Sequence, residues 1–142
     1  MKATAWIDGG NRGAPGPHGC AVVLVLDDGP TIEKAVYLGD HGTNNQAEYG
    51  ALILALKLSA QHGVTMLKIR SDSRLIVEQV IGAWRVKEPS LRPFVDRARA
   101  LAATFEQIEI RHVPREQNSA ADALVTALLD EKVGKKRGER RA

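Results

Sequence analysis

Cysteine and aromatic residues are scarce in this 142-residue chain, which holds one Cys and two each of Trp, Tyr and Phe. The lone Cys20 excludes an intramolecular disulfide and any zinc site built on paired thiolates. Long apolar runs are missing too: a stretch such as Ala21–Leu26 falls far short of the ~20 residues that span a bilayer. A strand-like pattern begins at Ala3 and leaves no room for a secretory leader. These absences lead us to expect a cytoplasmic protein, monomeric by default, with no membrane and no disulfide-linked partner. What is present, 44% hydrophobic and 26% charged residues, is globular composition at the size of one domain and excludes a wholly disordered chain.

The net charge of +3 is unevenly spread. Residues 132–142 hold six basic residues (Lys132, Lys135, Lys136, Arg137, Arg140 and Arg141) and one acid, Glu139; the remaining body has 14 basic and 16 acidic residues and is slightly negative. Like charges with Val133 and Ala142 as the sole apolar residues predict a disordered arm, suited to holding nucleic acid by counterion release or simply solvated. The expected organisation is a domain over 1–131 and a basic tail over 132–142.

Periodicity within the body changes once. Ala3–Asp8, Cys20–Leu26 and Thr31–Leu38 read as three strands, with breakers from Gly9 to Pro17 and a turn at Asp27–Pro30. Helical spacing then runs from Asn44 to Gln61 through Ala47, Ala51, Leu54, Ala55 and Leu58, opened by a capping-box pattern at Thr43–Gln46 and stopped near Gly63. A strand over Thr65–Ser71, short helices over Leu75–Ala83 and from Pro93 to about Thr104, a strand over Gln107–Val113 and a helix over Ser119–Leu129 complete the order. Meandering strands followed by strands alternating with helices predict an α/β fold, a mixed sheet with helices on both faces.

Four acids fall at element boundaries: Asp8, Glu48, Asp72 and Asp122. Each has a structural explanation: a turn with Gly9, a helix dipole, a cap on the helix near Arg74, and a Ser119-x-x-Asp122 capping box. Their joint placement suggests more. If the first and fourth strands lie parallel at the sheet centre, Asp8 and Asp72 meet at their carboxyl ends, where α/β sheets hold ligands. Like charges gathered there need a cation, and hard oxygen donors favour Mg2+ or Mn2+ over zinc. Two such ions about 4 Å apart suit phosphodiester displacement.

The segments Trp6–Gly10, Thr43–Tyr49, Ser71–Ser73 and Asn118–Asp122 together resemble the four sequence blocks of type 1 ribonuclease H, in that family's order, from about Lys2 to Leu129. The resemblance implies a five-stranded sheet, three antiparallel strands and then parallel ones, and cleavage of the RNA strand of RNA–DNA hybrids to 5′-phosphate and 3′-hydroxyl ends. It implies two ions in the substrate complex, with Asp8 bridging them, Asp122 completing the ion that activates water, and Glu48 and Asp72 holding the leaving-group ion. It also implies that the turn at Gly10, Asn11 and Gly13, with Glu48, meets the 2′-hydroxyl that marks RNA. Asn44 and Asn45 would read the hybrid's minor groove, Thr43 would bind a DNA phosphate, and Trp84 would stack on a DNA sugar.

The sequence departs from the family pattern in several places. The loop before the fourth block is short, Pro114–Gln117, and lacks the mobile histidine of other members. His112 still lies in a strand, and Arg115 is the residue placed to substitute, on phosphate or in product release. Arg74 stands where a glutamine is common and could add a phosphate contact. The basic protrusion of some members is missing, with only Arg85, Lys87 and Arg92 between Trp84 and Pro93. Two other readings remain at this point: a binding module that kept the fold, and a DNA-processing nuclease on the same scaffold.

Overall fold

The computed structural model describes residues 1–134. Five strands, β1 (Lys2–Asn11), β2 (Gly16–Leu26), β3 (Thr31–Gly42), β4 (Met66–Ser71) and β5 (Gln107–His112), form one sheet in the order β3-β2-β1-β4-β5. β1 is antiparallel to β2 and β2 to β3, whereas β1–β4 and β4–β5 are parallel. The mixed sheet is the one the sequence predicts. Four helices accompany it: α1 (Asn44–Gln61), α2 (Arg74–Val80), α3 (Arg92–Ala102) and α4 (Ser119–Val133).

Two layers cover opposite faces. α1 packs on β1 and β2 with α3 against its flank, while α4 crosses the other face over β1, β2 and β3. Alternation along β1 sorts its side chains: Ala3, Ala5 and Ile7 enter the main core with Leu24, Leu52, Leu56 and Ile69. On the other face Val125 and Leu129 of α4 close over Ala21. Leu52 and Leu56 lie off the stripe the sequence marks on α1, yet both are buried, because α3 and the sheet enclose that helix on two sides.

Local chemistry sets the element ends. The Thr43 side chain accepts from the Gln46 backbone and the Gln46 side chain accepts from Thr43 N–H, the capping box expected from sequence. Gly63, at φ +77°, follows the C-cap His62 and ends the helix.

β1 is longer than the sequence suggests. It runs through Gly9 and Gly10 to Asn11, and β2 begins at Gly16, so the expected breaker stretch is largely paired strand. Those glycines serve close approach rather than a turn. A Cβ on Gly9 would stand 2.3–2.5 Å from backbone atoms of Ala47 and Glu48, and one on Gly10 would stand 3.0 Å from Val125. Within the stretch from Gly9 to Pro17, Gly13, at φ +105°, takes the turn conformation that side chains resist. α4 extends past the expected boundary at 131 through Val133, with the Lys132 ammonium 5.7 Å from the Tyr37 ring centre. The tail from 135 to 142 lies outside the described residues.

Candidate active site

The parallel β1–β4 pair sets the site. Ile7 stands opposite Ser71 in that pairing, so the next residues, Asp8 and Asp72, sit side by side where β4 ends and β1 runs on beside β2. Glu48 arrives from the first turns of α1. Carboxylate oxygens of Asp8, Glu48 and Asp72 all lie within 4.8 Å of one another. Asp122, on the first turn of α4, adds its charge beside Asp8 and lines the same cavity of about 430 Å³.

None of the simple structural explanations for these acids holds. β1 continues past Asp8 without a turn. Glu48 is 6% exposed and accepts the Gly9 N–H at 2.8 Å, a role across elements rather than at a helix end. Ser73, not Asp72, caps α2, its hydroxyl accepting from Ile76 N–H. The Ser119 capping box does not form: Asn118 is the N-cap of α4 and makes no side-chain cap bond. Instead its Nδ2 donates to the Ile7 carbonyl at 2.7 Å, tying the start of α4 to the residue before Asp8. Asn118 is 1% exposed and its Oδ1 has no partner among the described residues.

The electrostatics are unfavourable without a cation. Burial pushes the Asp8 carboxyl from 3.8 up to about 7, aided by the charges of Asp72 and Asp122, while the Gly9 backbone opposes the shift. Burial also raises Glu48 well above its ordinary value, with Asp8 and Asp72 adding to it and Gly9 and Arg115 opposing. The nearest basic group, the Arg115 guanidinium, is 3.9 Å from Asp122 and 81% exposed, too hydrated to neutralise the cluster. Hard oxygen donors, converging and uncompensated, fit a divalent cation.

Six of the other expected site residues divide between two grooves. Gly10, Asn11, Asn44 and Arg115 line the acidic cavity with Arg12 and Ser73. Asn45 and Trp84 face a separate groove of about 640 Å³ with Arg85 and Lys87, and Trp84 is 44% exposed. Gly13, Thr43 and Arg74 line neither groove. Gly13 accepts from the Asn11 side chain, Thr43 caps α1, and Arg74 pairs with Glu78 at 3.3 Å. His112 ends β5 outside the acidic cavity. Sequence reasoning missed the parts played by Gly9 and Asn118. Both lie inside the family-like blocks, and only the contact between elements reveals what they do.

Comparison with known proteins agrees with this geometry. A family model described as reverse transcriptase-like matches residues 7–128. The ribonuclease H of Alkalilimnicola ehrlichii is 33% identical over 144 residues, covering 89% of this chain and 94% of the relative. The chain belongs to the ribonuclease H family. Ribonuclease HI of Halobacterium salinarum is 43% identical over 130 residues, 92% of this chain. This ribonuclease H-family chain spans 65% of that relative's length and 36% of several mycobacterial relatives. The crystal structure of LC11-RNase H1 in complex with an RNA/DNA hybrid superposes with a TM-score of 0.84 at 36% identity, covering 92% of this chain and 99% of that one. No helix among the described residues is long and apolar enough to cross a membrane.

Proposed function

We propose that this chain is an endonuclease that hydrolyses the RNA strand of RNA–DNA hybrids, leaving 5′-phosphate and 3′-hydroxyl ends, with two Mg2+ or Mn2+ ions. The observation that carries the reading is the convergence of Asp8, Glu48 and Asp72, with Asp122 beside Asp8, at the carboxyl ends of β1 and β4. Asp8, Glu48, Asp72 and Asp122 would hold the ions. Divalent ions bound there supply Lewis-acid stabilisation of the charge on the attacking and leaving oxygens, so no protein nucleophile is needed.

The remaining residues bind and orient. Asn44 lines the acidic cavity while Asn45, the next residue, lines the Trp84 groove. Adjacent amides facing two grooves suit a duplex laid across the start of α1, with its RNA strand over the carboxylates and its DNA strand beside Trp84. The backbone at Gly10, Asn11 and Gly13 would meet the 2′-hydroxyl, the group that separates RNA from DNA. Thr43, Arg74 and Arg115 would contact phosphate, and Arg115, in the loop lacking histidine, would also aid product release. The domain over 1–131 would carry the chemistry and the basic residues of 132–142 would add a salt-sensitive grip. The protein would act as a monomer in the cytoplasm, where a free, buried cysteine such as Cys20 stays reduced.

A strand-labelled cleavage assay tests the reading, comparing RNA–DNA hybrid, double-stranded RNA and double-stranded DNA with Mg2+, Mn2+ or EDTA. Metal-dependent cutting confined to the RNA strand of the hybrid is the expected result. Cutting of DNA would support a DNA-processing nuclease on this scaffold, and hybrid binding without cutting would support a binding module; either overturns the proposal.

A further inference from the structure

Between β2 and β3 the ladder is interrupted twice, on either side of one side chain. Gly16 pairs with Gly42, His18 with Gly39 and Gly19 with Tyr37, so β3 carries one extra residue in each interval. The half-buried His18 imidazole fills the resulting bend. Its Nδ1 donates to the Gly39 carbonyl at 3.0 Å, and the carbonyl acceptor fixes the proton on that nitrogen. Its Cδ2, Cε1 and Nε2 stand 2.2 Å from where a Cβ on Gly42 would be. Gly39 takes a φ of +148°, and a Cβ there would face Cε1 at 3.5 Å. Gly42 thus leaves the ring its room, and Gly39 supplies the carbonyl that the ring bonds.

Segments assigned to substrate leave that ring on both sides. His18 pairs with Asn11 across the β1–β2 hairpin that contains Gly13. Gly42 is followed directly by Thr43, the N-cap of α1, and then by Asn44 and Asn45. Bulges of this kind bend a strand and re-aim the chain beyond them. We propose that His18 is a positioning residue for the hybrid, a wedge that sets the spacing between the Asn11–Gly13 turn on the RNA strand and the Thr43–Asn45 segment in the groove. This rests on the proposed function and adds to it a residue outside the carboxylate site. Glu48 is held by its own bond to Gly9, so the wedge acts on hybrid binding and leaves the carboxylate spacing alone.

The experiment compares wild type, His18→Ala, His18→Asn, Gly42→Ala and the His18→Ala/Gly42→Ala double variant on labelled hybrid in Mg2+. It reads KM and kcat separately, together with hybrid Kd in EDTA and the unfolding temperature. His18→Ala is expected to raise KM and Kd about tenfold while kcat stays within about threefold of wild type. His18→Asn, which keeps an N–H for Gly39, recovers part of the affinity. Gly42→Ala drives a methyl group into the ring and also weakens binding, and removing the ring in the double variant relieves that loss. Unchanged KM and Kd in a folded His18→Ala protein overturn the proposal, as does a fall in kcat at constant KM. If His18→Ala does not fold, Gly42→Ala decides by the same split between KM and kcat. Wild type that fails to cut the hybrid overturns the proposed function instead, a result visible before any variant is made.

Discussion

The α1-facing side of the sheet and the carboxyl ends of β1 and β4 are built from the same strands, yet they make opposite demands on folding. Ile7, 1% exposed, leaves water for a packed apolar environment, a burial that favours folding by roughly 2 kcal/mol for a side chain of this kind. Its neighbour Asp8, 6% exposed, leaves water to stand among other carboxylates. One residue step along β1 therefore separates a group that favours folding from one that opposes it. The core over-determines the strand ends and holds the acids where an isolated peptide would let them spread. The lesson is a division of labour: apolar packing sets the positions, and the charges so positioned bind the cation.

The sharpest way to break that division is Asp8→Asn. Cleavage of hybrid should fall by about a thousandfold or more, while the metal-free protein gains roughly 1–3 kcal/mol at pH 8 because a buried charge is removed. Cleavage rates and urea unfolding on the same preparation check both signs. Leu52→Ala attacks the other side: it should cost about 2–5 kcal/mol of stability. Below its unfolding temperature its kcat should stay close to wild type, since Leu52 belongs to the apolar core and carries no group that could hold a cation.

The pH dependence sharpens the comparison without mutation. The unfolded chain releases the Asp8 proton near 3.8 and the folded one holds it to about 7. Between those values the folded state carries more protons, so this stabilisation is complete below about pH 4 and is lost as pH rises through about 7. Burial of Glu48 acts in the same direction. The metal-free protein should melt at a lower temperature at pH 8 than at pH 5.5, and Mg2+ or Mn2+ should raise melting more at pH 8; scanning calorimetry reads both. Trp84→Ala carries the smallest effect expected: KM for hybrid rises about threefold or more, by loss of stacking, with unfolding and kcat little changed.

Much of this was legible in the residues. The bounds of α1 follow from its capping box and Gly63, and the mixed character of the sheet follows from where helices begin to alternate with strands. The four acids stand out because each falls at or near an end of an element as the sequence pattern sets its bounds, although β1 in fact runs on past Asp8. The continuation of β1 through Gly9 and Gly10 did not show, because a glycine placed for contact between layers looks in sequence like one placed for a turn. Nor did Asn118, whose amide reaches Ile7 across 111 positions of chain. The seat of His18 was equally hidden, because it depends on two interruptions in the register of β3 that no local pattern announces.

Manganese binding tests the central claim most directly, because it reads the cation cradle without substrate. Titration of Mn2+ followed by electron paramagnetic resonance at pH 8 should show saturable binding to wild type. Asp8→Asn and Asp72→Asn should each weaken it about tenfold or more, with the fold intact. Equal Mn2+ affinity in wild type and both variants would contradict the account.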